Sequence, residues 1–446
     1  HILEAANALI GNNTERKGKT LWTNAGAGDK ILMYAAQNED DEAQFIAARI
    51  MEDYGKGGNF RDNAVLYRMN AQSNRLEFAF KRNGIPYRIV GGMRFFDRAE
   101  IKDMLSYLWA ILRPEDDLRL RRIINSPQRG IGDRTVETAR EIAAGVGQSL
   151  YAVISRANEY PELSRAAAKL ISFTTMMDEL RVLAAEAPMD ELYDAVIERT
   201  GYIRALEKKR TDENLGRIEN VRELKTNILG YARETGDASL AGFLDEVSLY
   251  TDLDSLDADT DCAVMMTMHS AKGLEFPNVF IAGAEEGIFP GLRTIGSRED
   301  MEEERRLCYV ALTRAKRRLY VTCARQRMIF GRTSQNRPSR FLGEIPDEHM
   351  DRAGYLPPRS AFGDPRQPAF MAARESVAAS SAVRPAAPPE TLDFKLGDRI
   401  VHTAFGRGEV TKVSPMGGDA LIEITFDGIG VKRLMLRAAS SHMKKE

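Results

Sequence analysis

The sequence has few cysteines and no long apolar run. Its three cysteines are Cys262, Cys308 and Cys323, and none belongs to a C-x-x-C pair. This distribution argues against a disulfide framework or a zinc site and favours a reducing cytoplasm. No apolar segment approaches the roughly 18 residues that a membrane-spanning helix needs, and no signal-peptide pattern opens the chain. We therefore expect a cytoplasmic protein with no membrane partner.

Neither sign of charge dominates the sequence. Lys and Arg together number 63 against 65 for Asp and Glu, which gives a formal net charge of -2. The protein as a whole is therefore no polycationic nucleic-acid binder, and any such contact must come from local basic patches. A length of 446 residues predicts two to four domains.

A phosphate-binding loop is also missing. The nearest match runs from Asn13 to Thr20, but Asn13 stands where the motif needs its first glycine. The segment before it has helical spacing, whereas a phosphate loop follows a strand. We interpret this segment as an ordinary loop. The chain begins at His1 inside this apparent helix, so we expect it to be part of a longer protein.

Short apolar runs alternate with helical stretches in two separate parts of the chain. The runs are 30–36, 64–69, 264–268, 279–284 and 318–324, and the main helical stretches are 40–54 and 302–313. This alternation predicts an α/β domain with a parallel, RecA-like sheet, formed by residues 1–109 and 262–345. Helical periodicity alone fills residues 110–261, which predicts an inserted all-α domain.

The composition changes sharply after Pro346. Residues 351–390 hold seven of the 17 prolines, so we expect a disordered linker over 346–393. Alternating strands broken by glycines then predict a small β-barrel over 394–437, followed by a tail at 438–446. A small module on a long tether is typical of docking rather than catalysis.

Polar residues follow two of the predicted strands. Arg68 and Asn70 come just past one strand, where open α/β sheets place their ligands, although on the residues alone a helix cap with solvated charges is the favoured interpretation. Thr267 and His269 follow another strand and could hydrogen-bond a DNA backbone, while Glu275 could accept from a ribose hydroxyl. A structural role for His269 is the simpler alternative.

Arg314 ends a helical stretch in the segment ALTRAK. A guanidinium held at a domain edge can stabilise the charge that spreads over a transferring γ-phosphoryl group, and such arginine fingers contribute about 10³ to 10⁵ in rate. The alternative is a salt-bridged surface arginine. We expect Glu302 to Glu304 to lie near the positive start of the same helix.

The segment SPQRGIGDRT joins two helical runs of the insertion. Gly130, Ile131 and Gly132 open a helix that contains Thr135, so free backbone N–H groups at the helix start would suit a DNA phosphate. A tight helix–helix turn is an equal alternative. Four nearby arginines modestly favour a phosphate site: Arg119, Arg121, Arg122 and Arg129.

Six segments of the sequence resemble one family. TMHSAKGLEFPNVFIAGAEEGIFP and EEERRLCYVALTRAK closely resemble the fifth and sixth helicase motifs of the UvrD/PcrA/Rep family, superfamily 1 enzymes that unwind DNA 3′ to 5′. LYRMNAQSNRLE and PYRIVGGMRFFDRAEIKD resemble its second RecA-like domain, and SPQRGIGDRT resembles its duplex-contacting turn. KLGDRIVHTAFGRGEV resembles the Tudor-like domain that docks on RNA polymerase in UvrD and PcrA.

The resemblance implies specific roles. Arg314 would contact the γ-phosphate of ATP, and Gly273 and Glu275 would lie on the nucleotide, with Glu275 at the ribose. Single-stranded DNA would contact Arg68, Asn70, Thr267 and His269. Duplex DNA would contact Gly130, Ile131, Gly132 and Thr135.

The family's first RecA-like domain has no counterpart in this sequence. ATP with Mg²⁺ would therefore bind between that domain and this one. We assign no metal ligand in this sequence, and we expect the chain alone to be inactive. The implied partners are single-stranded and duplex DNA, RNA polymerase and repair factors, in the bacterial nucleoid. Two alternatives remain: an adaptor fragment that binds DNA and RNA polymerase, and a relative that keeps the fold without unwinding.

Overall fold

A computed structural model describes residues 1–14, 20–24, 26–209, 211–252, 261–355, 394–416, 419–427 and 429–446. Most of the predicted linker, most of the acidic run that ends the insertion, and the middle of the rejected phosphate loop lie outside these ranges. The chain divides into two compact units. The first comprises 1–94, 256–328 and 333–446, and the second comprises 95–255 and 329–332.

The first unit is built on a parallel sheet, which confirms the predicted fold class. Within the described residues its strand order is β3-β4-β2-β5-β6-β1-β9. These strands are β1 (Ile31–Ala36), β2 (Asn63–Tyr67), β3 (Tyr87–Val90), β4 (Ala263–Thr267), β5 (Phe276–Ile281), β6 (Ala315–Ala324) and β9 (Met350–Gly354). All five residues of β2 are buried, as expected for a central strand covered on both faces.

Helices cover both faces of this sheet. They are α1 (Ile2–Ile10), α2 (Glu39–Gly55), α3 (Ser73–Arg82), α13 (Arg298–Leu312) and the short α14 (Arg340–Gly343). Asn38 caps α2 by accepting from the Asp41 amide at 2.9 Å, and Ser297 caps α13 by accepting from the Asp300 amide at 3.3 Å. Because α13 begins at Arg298, the prediction that Glu302 to Glu304 start this helix is wrong.

In the second unit, the described elements between residues 95 and 252 are all helical. Its helices are α4 (Ala99–Leu112), α5 (Asp117–Ile123), α6 (Asp133–Val146), α7 (Leu150–Ile154), α8 (Ala167–Glu186), α9 (Met189–Thr200), α10 (Tyr202–Glu207), α11 (Asp212–Thr235) and α12 (Leu240–Asp252). The unit starts at Phe95 rather than near residue 110. The apolar face of α4, which includes Met104 and Leu108, is buried and contacts α8 and α11, so this helix belongs to the insertion.

A five-stranded antiparallel sheet forms the C-terminal barrel of the described chain, in the order β13-β12-β11-β10-β14. Its strands are β10 (Arg399–His402), β11 (Gly406–Met416), β12 (Asp419–Phe426), β13 (Gly430–Met435) and β14 (Met443–Lys445), with α15 (Leu436–Ala439) between the last two. A further short ribbon pairs β7 (Arg327–Ile329) with β8 (Arg332–Ser334). Of the predicted barrel, Gly417, Gly418 and Gly428 lie outside the described residues.

The barrel packs on the α2 and α3 side of the sheet. The rings of Phe405 and Tyr54 lie 6.1 Å apart, and a Cβ on Gly84 would come within 2.5 Å of Leu434. Gly84 also has φ +65, a conformation that favours glycine. Burial and the neighbouring His442 lower the pKa of His402 to about 4, so a neutral imidazole occupies the barrel core.

Two boundaries differ from the sequence prediction. Ile31 pairs with Met350 in the large sheet, so the α/β domain extends past residue 345. Ile400 pairs with Lys445, so part of the predicted tail is a barrel strand. In the described part of the chain, no helix is long and apolar enough to cross a membrane.

Candidate functional site

The carboxyl ends of β2 and β4 bring the predicted single-strand contacts together. These strands are neighbours, with Tyr67 paired to Thr267, and the Met268 amide donates to the Tyr67 carbonyl at 2.9 Å. Arg68 and His269 therefore emerge side by side, since parallel strands end at the same edge of a sheet. We call this region the carboxyl edge.

Arg68 is held from two sides. The Gln72 side-chain oxygen accepts from the Arg68 amide at 3.0 Å and from the Met69 amide at 2.9 Å, which fixes the turn after β2. The carboxylate of Glu304 on α13 contacts two nitrogens of the guanidinium, at 2.9 Å from Nε and 2.8 Å from Nη2. We call this two-nitrogen contact the fork. The Arg68 side chain is 28% exposed, whereas that of Glu304 is 6% exposed.

Gln72 in turn packs over a glycine. A Cβ on Gly283 would collide with the Gln72 amide nitrogen, and Gly283 has φ +73. Only glycine suits both requirements at this position. The amide also donates to the Ala282 carbonyl at 3.3 Å, which ties the turn after β2 to the end of β5.

The other carboxyl-edge residues differ in exposure. Thr267 is half-buried, and its hydroxyl lies 2.9 Å from that of Ser270, so it also shapes the turn after β4. His269 and Asn70 are exposed. Although its ring reaches solvent, partial burial together with the positive charge of Arg68 lowers the pKa of His269. A neutral imidazole beside a guanidinium can donate or accept a hydrogen bond.

Arg314 lies at the opposite end of the sheet, where β5 and β6 begin. Its guanidinium rests on three neutral oxygens: Nη1 donates to the Leu274 carbonyl at 3.0 Å, Nε to the Val310 carbonyl at 3.1 Å, and Nη2 to the Thr313 hydroxyl at 3.2 Å. No carboxylate of the described chain pairs with it. The alternative of a salt-bridged surface arginine therefore does not describe this residue.

Glu275 and Gly273 lie beside Arg314. The Phe276 amide donates to the Arg314 carbonyl at 2.9 Å, which joins the start of β5 to the start of β6. Glu275 pairs with Lys316 at 3.6 Å, and both side chains are more than half exposed. Gly273 has φ +84 and open space around its α-carbon. We call this region the amino edge; it offers a cation, a carboxylate and an open turn.

The predicted duplex-contacting turn belongs to the second unit. Gly130 has φ +71, Ile131 is buried, and Gly132 is the extended N-cap of α6. Thr135 is half-buried in the first turn of that helix. Lys169, which was not among the predicted site residues, donates to the Gly130 carbonyl at 3.0 Å and adds a positive charge to the turn.

The four arginines near this turn have structural partners, which removes them as support for a phosphate site. Arg129 donates to the Tyr107 hydroxyl at 2.7 Å and to the Ile123 carbonyl at 3.0 Å. The other three pair with carboxylates: Arg119 with Asp116, Arg121 with Glu137 and Arg122 with Asp103. The argument for phosphate binding here therefore rests on the helix start and Lys169.

One group among the described residues has the spacing of metal ligands: His1, Glu4 and His349. The two imidazole Nδ1 atoms lie 3.0 Å apart, a distance that a hydrogen bond between the two rings explains. This group lies at the start of α1 and just before β9, and it includes none of the residues of the carboxyl edge or the amino edge.

Sequence reasoning missed Glu304 as a site residue. Its position was visible in the helical period, because Glu304 lies three, four and seven residues before Leu307, Cys308 and Ala311, which are all buried. A carboxylate on the buried face of a helix requires a partner. Which cation supplies it could not be deduced, since Arg68 is 236 positions away in the chain.

Two family models match the chain. A model described as the UvrD-like helicase C-terminal domain matches residues 1–326, and one described as the PcrA/UvrD tudor domain matches residues 396–440. The chain is 40% identical over 452 residues to a protein of Staphylococcus epidermidis (strain ATCC 12228 / FDA PCI 1200) named ATP-dependent DNA helicase PcrA. It is also 40% identical over 450 residues to a protein of the same name from Staphylococcus aureus (strain Mu50 / ATCC 700699). Each match covers 100% of this chain and 61% of the relative.

Proposed function

Because this chain belongs to the UvrD-like helicase family, we propose that it is the C-terminal part of an ATP-dependent 3′–5′ DNA helicase that translocates on single strands. The chain spans 61% of the length of the relatives it matches, so the activity belongs to a longer protein. The observation that carries the proposal is Arg314, a guanidinium at the amino edge supported by neutral oxygens and placed beside Glu275.

The amino edge fits a nucleotide. Hydrogen bonds from the guanidinium to neutral oxygens can be exchanged for bonds to a phosphate oxygen, whose negative charge adds a direct attraction to the cation. Arg314 would then stabilise the γ-phosphate, and Glu275 would accept from the ribose. Mg²⁺ is not assigned to this edge, because its carboxylate Glu275 already pairs with Lys316. The nucleotide phosphates and the rest of the protein would hold the ion.

The carboxyl edge fits a single strand. Arg68 and His269 would contact phosphates, with Asn70 and Thr267 as neutral hydrogen-bond partners, and the turn from Gly130 to Gly132 with Thr135 would hold the duplex. Opening and closing of the nucleotide cleft would move these contacts along the strand. A nucleoid location in the cytoplasm and work with repair factors follow from this activity.

Docking of the barrel on RNA polymerase is a second part of the proposal. Leu396 and Val431 are large apolar side chains of the barrel with 72% and 58% exposure, and exposed apolar side chains suit a protein partner. Substituting Val431 by Glu in the full-length protein should abolish retention on immobilised RNA polymerase while ATP turnover stays normal. Undiminished retention would contradict this docking surface.

The activity itself is tested on two proteins. The full-length protein should hydrolyse ATP in a DNA-stimulated manner and unwind a duplex with a 3′ tail, whereas the chain of residues 1–446 should do neither. DNA-stimulated hydrolysis by the purified chain would contradict the bipartite site. A full-length protein that binds DNA and RNA polymerase but never hydrolyses ATP would favour the adaptor alternative.

A further inference from the structure

Glu304 connects the two edges of the sheet through one helix. Its carboxylate holds Arg68 at the carboxyl edge, and α13 continues from Glu304 to Leu312, just before Arg314 at the amino edge. Eight residues of α-helix span about 12 Å. Helix α13 is therefore a single rigid element between the two edges. It holds Glu304, which supports the predicted DNA contact Arg68, and it leads into Arg314, the predicted contact to the γ-phosphate.

The burial of Glu304 makes this contact obligatory. A carboxylate that is 6% exposed must be paired, because burying an unpaired charge destabilises a protein. Besides Arg68, the Gly291 amide approaches the carboxylate at 3.4 Å. Arg68 is thus the cation that satisfies Glu304, and its guanidinium cannot move away without leaving that charge unpaired.

The geometry of the fork leaves one side of the guanidinium available. Nε and Nη2 face Glu304, and in a planar guanidinium Nη1 then points to the other side. A phosphate that approached Nη1 would meet a donor with a fixed direction. It would also stay farther from the carboxylate than from the guanidinium, so attraction to the cation would outweigh repulsion by the anion.

We propose that Glu304 is a positioning residue that fixes Arg68 for a phosphate of the single strand and links that contact to the helix leading to Arg314. This inference rests on the proposed function, since it takes Arg68 as a DNA contact. Without Glu304, Arg68 keeps its charge but loses its fixed direction, and the rotamer freedom of a long side chain then opposes the phosphate contact.

The test uses Glu304→Gln in the full-length protein, with Glu303→Gln as the matched control. Glu303 is the neighbouring residue on α13, has a 73% exposed side chain and pairs with Arg306. We expect Glu304→Gln to raise the single-strand dissociation constant about tenfold, equivalent to about 1.4 kcal/mol. The slope of its logarithm against that of the salt concentration should fall by about 0.7, the value for one lost phosphate contact.

A second readout is the DNA concentration that gives half-maximal ATP turnover. It should rise about tenfold for Glu304→Gln, in step with the dissociation constant, and remain unchanged for Glu303→Gln. Unchanged or tighter DNA binding by Glu304→Gln, with or without a lower melting temperature, would overturn the proposal. That result would mean that Glu304 only stabilises the fold, or that it neutralises the Arg68 charge and so weakens DNA binding.

A double-mutant cycle separates this inference from the proposed function. If Arg68→Ala weakens DNA binding, adding Glu304→Gln should weaken it no further. If Arg68→Ala itself leaves DNA binding unchanged, the DNA contact fails and the inference fails with it. If Arg68→Ala weakens binding but Glu304→Gln does not, the inference alone fails. Should Glu304→Gln not fold, Arg68→Lys, which keeps the charge and loses the fork, must produce the same tenfold loss.

Discussion

The two edges of the parallel sheet hold their arginines in opposite ways. At the carboxyl edge, a buried carboxylate grips Arg68 in a fork, whereas at the amino edge Arg314 rests on carbonyl and hydroxyl oxygens. A guanidinium paired with a buried anion keeps its direction. One that rests on neutral acceptors can turn to an anionic ligand when that ligand arrives. The sheet thus combines a fixed cation with an exchangeable one.

The largest effect should follow removal of the exchangeable cation. Arg314→Ala in the full-length protein should lower ATP turnover about 10³-fold, because an arginine finger contributes at least that much, while single-strand affinity changes less than twofold. Steady-state hydrolysis and fluorescence anisotropy measure the two quantities. Arg317, which is exposed near the start of the same strand, provides the control variant Arg317→Ala. Normal turnover with weakened DNA binding would reverse the assignment of the two edges.

Removing the fixed cation should instead destabilise the fold. Arg68→Ala leaves the Glu304 carboxylate buried without its partner, and we expect the free energy of unfolding to fall by about 2 kcal/mol, less than for a fully buried pair because Arg68 is partly exposed. Denaturant titration measures this loss. Arg314→Ala is the comparison variant. If both variants lost the same free energy of unfolding, the two edges would not differ in how firmly they hold their arginines.

The carboxylate of the amino edge should matter for the ligand and little for the fold. Glu275→Gln should raise the KM for ATP about fivefold, the effect of one weakened hydrogen bond. Its exposed pair with Lys316 contributes less than about 0.5 kcal/mol, so the melting temperature should stay constant. The control is Lys316→Met, which frees Glu275 and should leave the KM within twofold. A large loss of stability would mean that Glu275 is structural.

The smallest effect should be a pH dependence confined to the carboxyl edge. Burial and the nearby Arg68 lower the pKa of His269, whereas a DNA phosphate would raise it. Single-strand affinity should therefore increase as the pH falls from 7.5 to 5.5, by about threefold for one exposed ionic contact. His269→Gln should remove this increase. An identical pH profile for the variant would exclude His269 as the group that titrates.

The lowered pKa of His269 affects folding stability and DNA affinity in opposite directions as the pH falls. Since the folded-state pKa of His269 is lower than that of the unfolded chain, the unfolded state binds the proton more readily. The contribution of His269 to the free energy of unfolding is present above its pKa in the unfolded chain. It is lost as the pH falls through its pKa in the folded protein. Acid should thus weaken the free protein slightly while it strengthens the DNA complex.

Local sequence features predicted most of the architecture. Short apolar runs and helical periods located five of the seven strands in the large sheet and the helical insertion, because these features report burial within a few residues of one another. The residues Arg68, Asn70, Thr267 and His269 were grouped by the family resemblance, and the pairing of β2 with β4 places them at one edge of the sheet. The boundary at Phe95 and the strands that begin at Tyr87, Met350 and Met443 were missed, because each is decided by a distant partner.

By itself, the sequence determined most of the secondary structure, the order of the domains and the family, since each depends on residues that are close along the chain. Only the tertiary structure decided how each arginine is held. The pairing of Arg68 with Glu304 spans 236 positions, and Arg314 rests on the carbonyl of Leu274, 40 positions away. Folding brings each arginine to partners that are distant in the chain: a buried carboxylate fixes Arg68, and neutral oxygens leave Arg314 exchangeable.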